Sequence, residues 1–284
     1  MPTRGCITEM RQSNGWVHLI LIISCFLAVF PVLWILATSF KPEAEVFSSS
    51  IQWIPETFTL DNYKTVLTRS NGIFLTWFKN SVLIALFTTL VGLVLSTTAA
   101  YAISRYKFRG RSGVELSVLI TQMFPGALLI IPLYLIINKL GLLNSYFGII
   151  LAYSTVSVPF CIMNLKSFFD TIPYELEEAA RVDGLSHLGT FVRIVLPLSL
   201  PGLAVTAFYS FITAWNEFLI AITLMNEETM YTLPIGLQQF VNQFNTDYHL
   251  MAAAAILITL PVLCFFLFAQ RYLISGMTAG GTKG

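Results

Sequence analysis

Few residues of this chain can do chemistry, and they gather in two places. The first is Glu217, the one plainly ionisable side chain inside a long apolar run, in "TAWNEFL" with Trp215 and Asn216 beside it. A carboxylate, an amide and an indole can line a path for a hydroxyl-rich solute. The polar groups exchange hydrogen bonds, and the aromatic face stacks on a ring. The same groups can instead hold helices together through a structural hydrogen bond, which is the role favoured for Glu217. Gln122, Asn164 and Thr213 are weaker members of this set. The second place is "YELEEAARVDGLSHLG", residues 174–189, where three glutamates, an arginine and an aspartate fall within ten residues. Neither place carries a catalytic or metal-binding constellation. Cys6, Cys25, Cys161 and Cys264 are far apart and form no C-x-x-C pair. His18, His187 and His249 have no second ligand at helical spacing. No catalytic residue and no metal ligand is assigned.

The elements that hold these residues are set by hydrophobicity. The chain is 56% hydrophobic and only 11% charged, with mean hydropathy +0.74, whereas soluble domains carry about 25% charged residues. The expected solvent is a lipid bilayer. The formal net charge of +1 gives no footprint for nucleic acid. A hydrocarbon core about 30 Å thick takes roughly 20 apolar residues of helix, and six stretches qualify, at about residues 16–40, 80–104, 116–137, 146–165, 201–225 and 250–271. The fold class expected is all-α, one transmembrane domain over 1–284. The first run is too long for a signal-peptide core and is read as an uncleaved span.

Orientation follows from lysine and arginine near the span ends. With the N-terminus inside, eleven of the 16 basic residues fall in inner segments, most densely in "RYKFRGR". Both termini and the 167–200 loop are then cytoplasmic. Residues 41–78 are expected outside as short helices on the outer face, and 226–250 as an exposed outer loop.

The patch at 174–189 reads as a helix with both ends marked. Asp170 or Thr171 can cap it, Pro173 suits its first turn, and Glu175, Glu177 and Glu178 sit where the helix dipole favours negative charge. Gly184 stops it, and Ser186 can cap a second short helix from His187 to about Leu196. Pro197 and Pro201 interrupt before the fifth span.

Here the sequence resembles a known family. "EAARVDGLSHLGTFVRIVLP" fits the pattern E-A-A, three residues, G, nine residues, I-x-L-P, with Glu178, Ala179, Ala180, Gly184, Ile194, Leu196 and Pro197 in the fixed places. That pattern marks membrane subunits of binding-protein-dependent ABC importers. "LWILATSFKP", "AYAISRYKFRGR", "AWNEFLIA" and "LISGMTAGGTKG" resemble the carbohydrate-uptake branch, and within it the smaller six-span permease of maltose-type transporters. The resemblance implies an ABC importer permease fold in a bacterial or archaeal inner membrane. The patch would be a cytoplasmic coupling helix that docks into an ATPase. The implied partners are a second permease subunit, two ATPase subunits and an extracytoplasmic solute-binding protein, approached by "TLPIGLQQF" in the outer loop. The tail, residues 276–284, would reach between the ATPase subunits.

The chain itself has no G-x-x-x-x-G-K-[ST] phosphate cradle, so it is not expected to be an enzyme. ATP and Mg would be bound by the partner, and no cofactor is assigned to this chain. The implied solute is a di- or oligosaccharide or a glycosylated polyol, with glycerol phosphate as the alternative. A secondary transporter would need a mid-membrane series of acidic or histidine residues, and a membrane-embedded enzyme would need clustered His, Asp or Ser on facing helices. Neither pattern is present.

Overall fold

The computed structural model describes residues 15–48, 52–241 and 247–280, and among them the regular structure is helical. The elements are α1 (Gly15–Ser39), α2 (Glu43–Val46), α3 (Asp61–Arg105), α4 (Arg111–Met123), α5 (Gly126–Lys139), α6 (Tyr146–Asp170), α7 (Tyr174–Val182), α8 (His187–Thr190), a π turn (Phe191–Val195), α9 (Leu196–Leu198), α10 (Leu200–Asn216), α11 (Leu219–Leu224), a 3₁₀ turn (Glu228–Met230), α12 (Leu233–Gln238) and α13 (Tyr248–Gly280). Among the described residues four helices are long and apolar enough to cross a membrane, and the number is six if each of two sharply bent pairs is one span. At 25 residues, α1 reaches about 37 Å at 1.5 Å per residue, enough to span.

The centre of the bundle is α3, α6 and α10. Their contact faces are small and weakly polar, the composition that lets helices approach in a medium where burying apolar surface gives no drive. Asn164 donates to Thr206 Oγ1 at 3.0 Å, and Ser210 donates to Ser157 at 3.4 Å. Asn164 therefore fastens α6 to α10. Two apolar clusters flank this seam. The larger gathers Trp77, Ile84, Tyr153, Trp215, Leu224, Leu233 and Ala253. The smaller gathers Ala100, Ile103, Leu165, Phe169 and Val195 beneath the polar patch.

Several spans depart from the single straight helices expected. The third, 116–137, is two helices, α4 and α5, bent by 107°. Pro125 has no N–H to continue the helix and forces its predecessor out of helical geometry; Phe124 sits at φ −75°, ψ 129°. The fifth, 201–225, is broken at Glu217, whose backbone is extended at φ −70°, ψ 127°, and resumes as α11. The second is the end of a much longer helix interrupted at 69–72, where Ser70, Asn71 and Gly72 all take positive φ. The fourth runs on to Asp170.

The segment after the fifth span, residues 226–241, is not the exposed outer loop expected. Thr232, Leu233, Ile235 and Phe240 are buried. Trp77, Asn80 and Ser81 fall on one face of α3 at i, i+3 and i+4, and together they take up its backbone. Trp77 Nε1 donates to the Glu228 carbonyl at 2.9 Å, and Asn80 Nδ2 donates to the Thr229 and Tyr231 carbonyls, each at 2.9 Å. The Leu233 N–H donates to Ser81 Oγ at 2.7 Å. Gly236 lies so close to the Trp77 indole that a Cβ there would overlap the ring. Hydrogen bonds from buried side chains to a chain with few regular bonds of its own explain why a polar stretch packs inward.

Candidate coupling surface and the break in the fifth span

The acidic patch forms two short helices, as its punctuation predicts, with one change in how it begins. Asp170 and Thr171 do not cap α7. Asp170 is the last residue of α6 and is held there, accepting from Lys166 Nζ at 2.8 Å and from Ser104 Oγ at 2.6 Å. Thr171 Oγ1 donates back to the Phe168 carbonyl. The chain turns at Pro173, which precedes α7 without a side-chain cap. The far end follows expectation. Gly184 has φ +89°. Its N–H donates to the Arg181 carbonyl at 3.1 Å, and the Leu185 N–H donates to the Ala180 carbonyl at 3.0 Å. This pair of bonds is the Schellman closure, which needs a left-handed residue where glycine alone is unstrained. Ser186 then accepts from the Gly189 N–H at 3.1 Å and starts α8.

The second helix runs beyond Leu196 to Leu198 and widens into a π turn on the way. Pro197 cannot donate to the Arg193 carbonyl, and the turn before it loosens. The helix after Ser199 departs at 78°.

What fixes this pair of helices to the bundle is Glu177, a residue not singled out from the sequence as a site. It is 3% exposed. Its carboxylate accepts from Arg105 Nε and, at 2.7 Å, from the Tyr101 hydroxyl. Arg105 also donates to the Ile172 carbonyl at 3.0 Å. The end of α3 thus grips both the start of α7 and the turn before it. A buried carboxylate is tolerable only when paired and hydrogen-bonded in this way. Ala180 packs inward beside it, and Tyr101 lies against Phe191 and edge-on to Phe169.

With Glu177 and Ala180 turned inward, the other face of α7 and the start of α8 point away. Glu178, Ala179 and Gly184 are exposed there. So are large apolar side chains: Leu176 is 45% exposed, Val182 87%, Leu188 70% and Val192 49%. Ile194 and Leu196 are half-buried, and Pro197 is exposed. Large apolar side chains exposed among charged ones make this a candidate interaction surface. The pattern residues therefore have separate roles. Gly184 shapes the turn, Ala180 seats the helix, and Glu178 and Ala179 face outward.

The fifth-span residues are brought together differently from the lining imagined for them. Trp215 is 2% exposed, stacked on Phe211 at 5.5 Å and edge-on to Phe78. It is core and offers no face to a solute in this conformation. Its indole satisfied the pattern of an aromatic beside polar groups, but its helical position points it inward. Glu217 accepts from the Ile220 and Ala221 N–H groups at 2.8 and 3.0 Å, so its carboxylate caps α11 and satisfies donors freed by the break. Of the three, Asn216 alone is exposed. The tail continues α13 to Gly280, and the last four residues lie outside the described residues.

Comparison with known proteins agrees with this architecture. The diacetylchitobiose uptake system permease protein of Streptomyces coelicolor is 34% identical over 95% of this chain and 97% of its own length. The arabinooligosaccharides transport system permease protein of Halalkalibacterium halodurans is 37% identical over 91% of this chain and 92% of its own. Among solved structures, a chain of a bacterial ABC transporter involved in the import of the acidic polysaccharide alginate superposes with TM-score 0.80, at 25% identity, over 96% of this chain and 99% of that one. Residues 92–279, which contain the anchored patch and the broken fifth span, match the binding-protein-dependent transport system inner membrane component, and the chain belongs to that family of ABC transporter permeases.

Proposed function

We propose that this chain is the six-span permease subunit of an importer for a di- or oligosaccharide or a glycosylated polyol, driven by ATP hydrolysis on a separate subunit. It works with a second permease, two cytoplasmic ATPase subunits and an extracytoplasmic solute-binding protein. Both termini and the 174–198 surface face the cytoplasm of a bacterial or archaeal cell, on the side to which the lysine and arginine asymmetry points. The observation that carries the reading is the outward face of α7 and α8. It holds exposed Leu176, Val182 and Leu188 on a segment that a buried Glu177–Arg105 pair clamps to the bundle. A surface that is both rigid and apolar can transmit force from a docked motor, because motion of the partner is passed to α3 rather than absorbed by a loop. The sugar reading is supported by the names of the relatives above, which take up diacetylchitobiose and arabino-oligosaccharides.

The experiment is uptake by vesicles that contain the complex purified through this chain. The account expects a Walker-motif ATPase to co-purify, and a neutral sugar to accumulate only with ATP inside and binding protein outside. Accumulation driven by a proton gradient, without ATP, would contradict it.

A further inference from the structure

Resting on the sugar reading above, we propose that this subunit's half of the solute site is the cavity at the broken third span, and that it takes a neutral sugar ring rather than an anion. The cavity has a volume of about 450 Å³ and lies between the α4–α5 bend, α6 and α10. That size falls within the roughly 300–1,000 Å³ usual for small-molecule sites.

Its lining has three properties that fit such a solute. The first is neutrality. Thr121, Gln122, Thr155 and Tyr209 supply the polar side chains, and among the described residues no carboxylate, ammonium or guanidinium borders the space. An anion there would lose its water without gaining a counter-charge, at a penalty that a hydroxyl group does not meet. The second is an aromatic wall. Phe160 of α6 and Tyr209 of α10 pack with ring centroids 3.9 Å apart, and both border the cavity. Such a wall suits the apolar face of a pyranose.

The third is free backbone. Pro159 lies within α6 and Pro132 within α5, and both border the cavity. Neither can donate an N–H, so the carbonyl of Thr155, a residue of the lining, lacks its usual intrahelical partner, as does that of Leu128 outside the lining. Irregular backbone at membrane depth is tolerated where it lines a polar cavity, and discontinuous helices frame binding sites in other transporters. The freed Thr155 carbonyl is an acceptor for a sugar hydroxyl. Helical spacing adds one more link: Asn216 stands seven residues, two turns, beyond Tyr209 on the same stripe of α10. The one exposed residue of the fifth-span trio thus continues this wall towards the break at Glu217.

The test is vesicle uptake by the complete complex, with trehalose, maltose and diacetylchitobiose as neutral probes and a uronate disaccharide and glycerol phosphate as anionic ones. The wild type is expected to accumulate a neutral probe at least about tenfold faster than either anion. Gln122→Leu, with Thr155→Val as an isosteric second variant, is expected to lower sugar moved per ATP hydrolysed about tenfold, since each leaves a sugar hydroxyl unpaired. A variant that merely loosened helix packing would lower uptake and hydrolysis together and keep the wild-type ratio. That result in both variants, or equal accumulation of the anions, overturns the assignment. A wild-type complex that imports none of the probes overturns the sugar reading, and the assignment with it.

Discussion

Two segments of this molecule begin from similar materials and end in opposite conditions. Residues 174–198 and 226–241 both connect spans, both are built of short helices, and both mix charge or amide with isolated apolar side chains. The second, 226–241, turns its apolar residues inward. Leu233 and Ile235 are buried, and Trp77, Asn80 and Ser81 accept or supply its backbone hydrogen bonds. The first, 174–198, buries a carboxylate, Glu177, and leaves Val182 and Leu188 exposed. The difference is what α3 offers to each. Around residues 77–81 it presents an indole, an amide and a hydroxyl on one face, which satisfy a chain passing over them. At its C-terminal end it presents Arg105 and Tyr101, which require an acid. One segment is completed by its own chain, whereas the other leaves apolar side chains exposed, the face proposed above to dock the ATPase.

The comparison can be broken most forcefully at the clamp. Glu177→Ala leaves Arg105 buried without its counter-charge, a loss of about 3–5 kcal/mol for a pair of this kind. The expected result is a large drop in thermal stability in detergent and rapid proteolysis between residues 170 and 200. A wild-type melting temperature and digestion pattern would show that the clamp does not hold the segment.

Gly236→Val probes the other segment. Its added carbon atoms must displace the Trp77 ring, and overpacking of this sort costs about 1–3 kcal/mol. The melting temperature should fall while co-purification of the ATPase stays at the wild-type level, because the two segments pack on separate stretches of α3, residues 77–81 and 101–105. Loss of the ATPase in this variant would mean that they are not separable.

Gly184→Ala is smaller still. No atom lies within 4 Å of the Cβ position, so the change acts through the backbone alone. An alanine at φ +89° is disfavoured by about 1 kcal/mol. A modest fall in stability is expected, with weakened ATPase attachment if α7 and α8 must be presented at a fixed angle. Stability equal to wild type would mean that the turn can relax into another conformation.

These magnitudes bear on what is legible in the sequence. The spans, the left-handed glycine and the Ser186 cap follow from local rules, because hydropathy and helix punctuation are properties of neighbours in sequence. The break at Phe124–Pro125 is open to the same rules, since Pro125 is visible within the third apolar run; hydropathy alone passes over it. Glu177 cannot be chosen over Glu175 or Glu178, because its role depends on Arg105 and Tyr101, more than seventy residues away. Trp215 misleads for a related reason: an indole beside an amide looks like a binding face until the facing Phe78 and Phe211 are in place. The buried 226–241 segment is hidden in the same way, because its polar composition gives no sign of the three side chains of α3 that satisfy it.

The central claim is that the apolar face of α7 and α8 docks the ATPase. The most direct measurement is co-purification of the ATPase with a Val182→Asp, Leu188→Asp double variant, alongside its melting temperature in detergent. Both side chains are largely exposed, so the permease itself should change by no more than about 0.5 kcal/mol. The account predicts a permease that inserts and melts as wild type but carries little or no ATPase. A double variant that retains wild-type ATPase attachment and wild-type sugar moved per ATP would contradict it.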